Sequence, residues 1–275
     1  LKIMLTITAL LENKTSAPTL SHYPGLSLLL EDTESESKIL FDTGKDLTFI
    51  NNAKKMAIDL TSLTTIVISH GHYDHFGGLT HLNEDFFITK PHIIAHPDLF
   101  SVRYSALFMG RQSIKFKRLT PFFNRQQLEQ QFSFQLTATP KAIDKRFIYS
   151  GQVTERQIHK RYGVIVSESS ETDDYVLDDS FLIWQGQQGL VIITGCSHSG
   201  IDAIIRHAKK ITGNDKIQAI VGGLHLRCAS LAALKRAKKA IGHHVEVYGC
   251  HCTGALGRSY LNAKDFNTGQ RLFFK

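Results

Sequence analysis

His70, His72, Asp74 and His75 place four metal-binding side chains within six positions, in the segment His70-Gly71-His72-Tyr73-Asp74-His75-Phe76-Gly77-Gly78. Imidazole and carboxylate are ligands that Zn²⁺, Mn²⁺ and Fe all accept. The segment follows the β-branched run Thr64-Thr65-Ile66-Val67-Ile68-Ser69, which predicts a strand ending just before the first histidine. Where the chain is still extended, His70 and His72 share one side and serve one ion. Where it turns into a helix, Asp74 and His75 serve a second. Such ions activate water and polarise an electrophile, so the chemistry in view is hydrolysis or group displacement. The competing reading is a polar loop with incidental histidines, which four ligand types at fixed spacing argue against.

The elements that must position this segment are strands. Ile3–Ile7, Leu26–Glu31 and Lys38–Phe41 read as strands, the last two joined as a hairpin by the polar turn 32–37 and ending in Asp42-Thr43-Gly44. A short helix-like stretch follows the metal motif, and then a strand at 91–96 stopped by Pro97. Phe181–Trp184 and Gly189–Thr194 form a second hairpin. In the last third a strand ends in Gly and His, and a helix follows, three times: Gly195-Cys196-Ser197-His198, Gly222-Gly223-Leu224-His225 and Gly249-Cys250-His251-Cys252. Ser230 is placed to cap the helix after the second of these. Loops at the carboxyl ends of neighbouring strands converge on one edge of an α/β sheet. Singly, His96, His198, His225 or His251 would more often be a packed or solvent-facing side chain. At equivalent junctions, with glycines permitting close backbone approach, they point together to a site.

The 275 residues, 42% of them hydrophobic, suffice for one elaborated α/β domain over 1–275. No apolar run approaches the roughly 20 residues of a membrane span, and no secretory signal is apparent, so a cytoplasmic location is expected. The four cysteines, Cys196, Cys228, Cys250 and Cys252, lie mostly beside histidines and read as reduced thiols. Cys250 and Cys252 flank His251 and, on an extended segment, would face away from it and pack. A stretch at about 100–162 is rich in arginine and lysine and poor in acid, and reads as an elaboration on the core; an acidic loop follows at 168–179. The net charge of +7 would attract a small anionic substrate or nucleic acid. Arg118, Phe122, Phe123 and Arg125 could stack on an aromatic ring or merely pack.

His-x-His-x-Asp-His after a strand resembles the signature of the metallo-β-lactamase superfamily. The resemblance implies an α/β fold of the αββα sandwich type, with one or two divalent ions, Zn²⁺ first and Mn²⁺ or Fe next, at one edge of the sheets. Asp42 resembles the aspartate that supports the metal loop from behind the ligands, and His251 the histidine of the last motif. Thr194–Ile201, Gly222–Leu226 and His251–Gly254 look like a subgroup holding dihydropterin-aminobenzene ribofuranosyl phosphate synthases and metal-dependent hydrolases. By this resemblance the ligands are His70, His72, Asp74, His75, His198 and His251, with His225, His96 and Cys196 next. Many members carry a bridging aspartate after the strand matching Val191–Thr194. Here Cys196 stands nearest and His198 just beyond, leaving the bridging ligand open.

The resemblance implies either hydrolysis of an ester, lactone or phosphodiester, or displacement at a phosphorylated, heteroaromatic, pterin-type substrate. Asp74 and His225 are the expected catalytic groups, His225 as proton carrier if it is not itself a ligand. Two rival classes remain. A nuclease or phosphodiesterase of the same superfamily fits the charge, although the chain has no aromatic ladder or known nucleic-acid module. A non-catalytic ligand sensor would use the metal structurally, but structural zinc sites are usually closed and sulfur-rich.

Overall fold

Period-two alternation along the apolar strands sorts their side chains into separate cores. Leu28, Leu30, Ile39 and Phe41 join Val191 and Ile193 in one buried cluster. Leu29 and Leu40 face the opposite way into a second cluster, and Leu190 and Ile192 into a third. Three cores in this arrangement require two sheets face to face with helices outside both. The computed structural model, which describes residues 5–110, 112–156 and 160–275, shows this αββα sandwich. Ile3, Met4 and Arg111 lie outside the described residues.

The first sheet runs, in spatial order, Arg271–Phe274, Leu5–Leu11, Ser27–Asp32, Lys38–Phe41, Thr65–Val67, His92–Ala95 and Ser133–Leu136. The second runs Glu246–Cys250, Ile217–Gly223, Gly189–Thr194, Phe181–Gly186, Phe147–Tyr149 and Lys141–Ala142. The helix Thr48–Lys55 lays Phe49, Ile50 and Ala53 on the outer core of the first sheet. The helices Ile201–Thr212 and Leu231–Ile241 lay Ile204, Ala208, Leu234 and Ala237 on that of the second. Each fully buried Leu, Ile or Phe of these clusters contributes about 1.5–3 kcal/mol before ordering costs. Between the sheets the Trp184 indole N–H donates to Asp32 Oδ2 at 2.7 Å, so the largest core side chain carries no unmet polar group. No helix among the described residues is long and apolar enough to cross a membrane.

The basic stretch at 100–162 is divided rather than a single addition. Val102–Met109 and Gln112–Arg118 form a third sheet with Gly163–Val166 and Glu171–Asp174, whereas residues between them supply strands to both main sheets. The acidic segment at 168–179 also departs from a solvated loop: Asp174, Asp178 and Asp179 are buried. Asp174 and Asp178 face Arg103, itself fully buried, at 2.7 and 2.9 Å. Sequence alone did not show that the excess base and the excess acid meet inside the protein.

Candidate metal centre

Strands running the same way bring their loops to one edge. Lys38–Phe41 is parallel to Thr65–Val67, and Gly189–Thr194, Ile217–Gly223 and Glu246–Cys250 are mutually parallel. Asp42 and the His70–His75 segment therefore leave one sheet beside Cys196, His198, His225 and His251 leaving the other. Four non-glycine residues here adopt left-handed backbone: Asp42 (φ 58°), Ser197 (φ 60°), His225 (φ 52°) and His251 (φ 49°). Each such conformation costs on the order of 1–3 kcal/mol and persists where the surroundings enforce it. Gly195 is required for a different reason, since a Cβ there would lie 2.1 Å from Ser69 Oγ.

The donor atoms form two groups. His70 Nε2 lies 3.0 Å from His72 Nδ1, and His70, Cys196 and His198 offer donor atoms within 4.8 Å of one another. His75 Nε2 lies 3.2 Å from both His251 Nε2 and Cys196 Sγ, and Asp74 Oδ2 is 3.5 Å from His251 Nε2. Two nitrogens held about 2.0–2.1 Å from a tetrahedral zinc ion lie roughly 3.3 Å apart, so these spacings fit a metal shell. His72 Nε2 and both ring nitrogens of His198 are buried with no hydrogen-bond partner, and burial lowers the pKa of His72 to about 3 and that of His198 well below its ordinary value. Dry, neutral imidazoles of this kind are ready ligands. Cys196 belongs to both groups, so its thiol is the donor the two have in common.

Three of these histidines, His70, His75 and His251, are also held through the other ring nitrogen, as metal-binding histidines generally require. His75 Nδ1 lies 2.6 Å from Asp42 Oδ2, His70 Nδ1 2.9 Å from Ser69 Oγ and His251 Nδ1 3.0 Å from Asn13 Oδ1. Asp42 also accepts from Ser69 N and Oγ at 2.7 and 2.8 Å. Asp42→Ala is expected to weaken metal affinity roughly 10- to 100-fold without removing a ligand, as competition with a chelating dye would show. Unchanged affinity would mean that Asp42 orients nothing.

In the metal-free chain His75 Nε2 and His251 Nε2 are within hydrogen-bond distance of each other. Burial lowers the His75 pKa, but the Asp42 carboxylate outweighs it and raises the pKa to about 9. Burial also pushes the Cys196 thiol well above its ordinary value. Metal uptake must displace both protons. Apparent metal affinity should thus rise with pH through the neutral range and beyond, and titration with zinc at pH 7 in weak buffer should release protons; a pH-independent affinity would contradict this. In the metal-free chain the sign is opposite. The His75–Asp42 pair stabilises fully below pH 6.5 and its contribution fades as pH rises through about 9.

Asp178-Asp179-Ser180 clamps both ligand loops, a role no sequence motif signals. Gly71 N, between His70 and His72, donates to Asp178 Oδ2 at 2.8 Å. Ser199 N, next to His198, donates to Asp179 Oδ2 at 2.8 Å, and Ser180 Oγ donates to the carbonyl of Ser69 at 2.7 Å. Tyr162 is a second residue the sequence reading missed: its hydroxyl donates to the His198 carbonyl at 3.0 Å and its ring packs edge-on to His198.

Other expectations are redistributed. His96 lies outside both groups, its Nδ1 accepting from Asp98 N at 3.1 Å and its Nε2 lying 3.3 Å from Gln152 Oε1. It caps the turn that Pro97 opens. His225 stands with Cys196 and Cys252 in a third group. Cys250 packs in the inter-sheet core as expected, but Cys252 does not turn away, because the chain after Cys250 coils into a 3₁₀ turn and strand alternation no longer holds. Arg118 lies 4.3 Å from the ring centroid of Phe122, which is exposed, and Phe123 packs on Phe76 and Phe100. Neither phenylalanine lines the cavity of about 910 Å³ that opens over His72, Asp74, His198, His225 and His251.

Fold and donor set together define a sandwich protein of the metal-binding metallo-β-lactamase type. The family model of the metallo-beta-lactamase superfamily matches residues 21–147. An uncharacterized protein of Methanocaldococcus jannaschii is 31% identical over 232 residues, 84% of each chain. The 7,8-dihydropterin-6-methyl-4-(beta-D-ribofuranosyl)-aminobenzene-5'-phosphate synthase of the same organism is 29% identical over 245 residues, 84% of this chain and 81% of that one. The crystal structure of a metal-dependent hydrolase of the beta-lactamase superfamily superposes with a TM-score of 0.80 and 26% identity, covering 98% of both chains. The chain belongs to the metallo-beta-lactamase superfamily.

Proposed function

We propose that this chain is a metal-dependent enzyme that carries out hydrolysis or group displacement on a small anionic substrate, using a pair of Zn²⁺ ions. His70, His72 and His198 would hold one ion, Asp74, His75 and His251 the other, and Cys196 would serve both. The observation that carries this reading is the shared position of Cys196 between two sets of buried donors, on the floor of a large cavity. A volume of about 910 Å³ matches a small-molecule site better than a polymer track. The relative named as a phosphate synthase supports a phosphorylated, heteroaromatic substrate, and the hydrolase neighbour supports water as the alternative acceptor.

When bound, the ions would supply Lewis acidity and a water acidic enough to ionise near pH 7. The chain's own groups do the rest. His225 lines the cavity with a buried, unpartnered Nδ1 and is the group we assign to carry a proton to or from the reacting atoms. Its ring centroid is 4.4 Å from that of His198, next to the first donor group. Asp74 keeps one carboxylate oxygen toward His251. Tyr162 closes one wall and holds the His198 loop.

The test is turnover of lactone, phosphodiester and phosphorylated dihydropterin-type substrates by zinc-loaded protein and its Asp74→Ala and His225→Ala variants. Activity on at least one class, abolished by Asp74→Ala and lowered by His225→Ala with metal content unchanged, is the expected result. Equal turnover by the Asp74→Ala protein would overturn the assignment.

A further inference from the structure

The cavity above the donor groups is lined by four cations, Lys117, Lys160, Arg227 and Arg236. None has a carboxylate within 4.0 Å among the described residues, although the same region pairs its cations freely. Arg103, Lys115, Arg125 and Arg161 each face an acid. Of the two carboxylates in the lining, Asp202 is engaged by Arg206 at 3.1 Å and Asp74 faces His251 at 3.5 Å. The cavity wall therefore holds a positive excess that the protein does not neutralise.

These cations are also placed rather than scattered. Lys117 Nζ sits 4.6 Å from the Tyr73 ring centroid and 2.8 Å from its hydroxyl. Lys160 Nζ sits 4.9 Å from the Tyr162 centroid. Tyr73 follows His72 in the chain and Tyr162 is bonded to the His198 carbonyl, so both ammonium groups rest on rings tied to metal-ligand loops. Arg227 N donates to the Cys252 carbonyl at 3.1 Å, fixing that backbone to the His251 loop. Arg236 projects from the helix Leu231–Ile241. A solvated surface patch would need neither the ring seats nor the common cavity.

We propose that Lys117, Lys160, Arg227 and Arg236 form an anion subsite, distinct from the metal ligands, that takes a phosphate-class dianion on the substrate. The inference rests on the metal-enzyme reading for the identity of the cavity, but the subsite stands on its own residues. A phosphate monoester carries a charge near −2 at neutral pH and three strong acceptor oxygens. Two lysines offer point charges and two arginines offer planar forks, a set suited to phosphate more than to a single carboxylate.

The test is isothermal titration of phenyl phosphate, and of benzoate as the carboxylate control, into zinc-loaded protein. The variants are Lys117→Ala/Arg236→Ala, Lys160→Ala/Arg227→Ala and Asp74→Ala, with metal content measured on each. Loss of two exposed contacts should weaken phenyl phosphate binding about 10-fold at low salt in each double variant, with metal content unchanged. The same loss should appear on raising ionic strength in the wild type. Unchanged affinity in both double variants, or benzoate binding as tightly as phenyl phosphate, would overturn the proposal. Binding abolished by Asp74→Ala alone would place the anion on the metals, overturning the subsite while leaving the enzyme reading intact. A wild type that takes up no zinc yet loses phenyl phosphate affinity in both double variants would support the subsite and overturn the enzyme reading.

Discussion

Cys196→Ala protein is expected to lose metal at both positions, whereas Cys196→Asp should recover most of it. The thiol lies 3.2 Å from His75 Nε2 and belongs also to the group of His70 and His198, so one substitution removes a donor from both shells. Loss of a ligand should exceed the roughly 10- to 100-fold affinity change that follows loss of an orienting contact. Aspartate offers two oxygens where cysteine offers one sulfur, and it is the residue that the family resemblance led us to expect here. Metal content by mass spectrometry checks the stoichiometry. Cobalt-loaded protein checks the sulfur itself, because a thiolate-to-cobalt charge-transfer absorption should be present in the wild type and absent from Cys196→Asp. Two ions retained in Cys196→Ala would assign the sharing role elsewhere.

The largest expected effect on stability lies at Asp178. Asp178→Ala leaves Arg103, which is fully buried, with one of its two carboxylates and takes the partner from Gly71 N. Arg103 keeps Asp174, so the cost is that of one lost charge-assisted contact and of leaving Gly71 N without its acceptor, about 1–3 kcal/mol. Unfolding in urea at pH 7 should show that loss, and the folded fraction should bind metal more weakly because the His70–His72 turn is no longer held. Asp178→Asn preserves the shape and an acceptor for Gly71 N but not the charge, so it should retain more of the metal affinity than of the stability. A loss below about 1 kcal/mol in Asp178→Ala, the range of an exposed pair, would contradict the account.

Much of this architecture could be read from residue order because period-two apolar runs and glycine junctions are local signals. The hairpin between Ser27–Asp32 and Lys38–Phe41 and the three strand-to-helix turns near His198, His225 and His251 are of this kind. The expectation that His70 and His72 share one side follows from side-chain alternation at the end of a strand, and their ring nitrogens lie 3.0 Å apart. Harder to read were features that depend on distant pairing or on backbone hand. Nothing local says that Arg103 meets Asp174 and Asp178, or that Asp178-Asp179-Ser180 reaches back to residues 69–71. Cys252 was assigned to the wrong side because alternation was extended through His251, whose left-handed backbone ends the strand. His96 looked like a ligand because it occupies an equivalent junction, but its strand is one place further along the sheet, beyond Thr65–Val67.

The central claim is a two-ion centre divided between the two loop sets, and its most direct measurement is metal per chain. Protein purified without chelator and reconstituted with zinc should hold two equivalents by inductively coupled plasma mass spectrometry. His72→Ala should hold about one, His251→Ala about one, and the double variant close to none. Two equivalents surviving in both single variants, or no zinc in the wild type after reconstitution, would contradict the account.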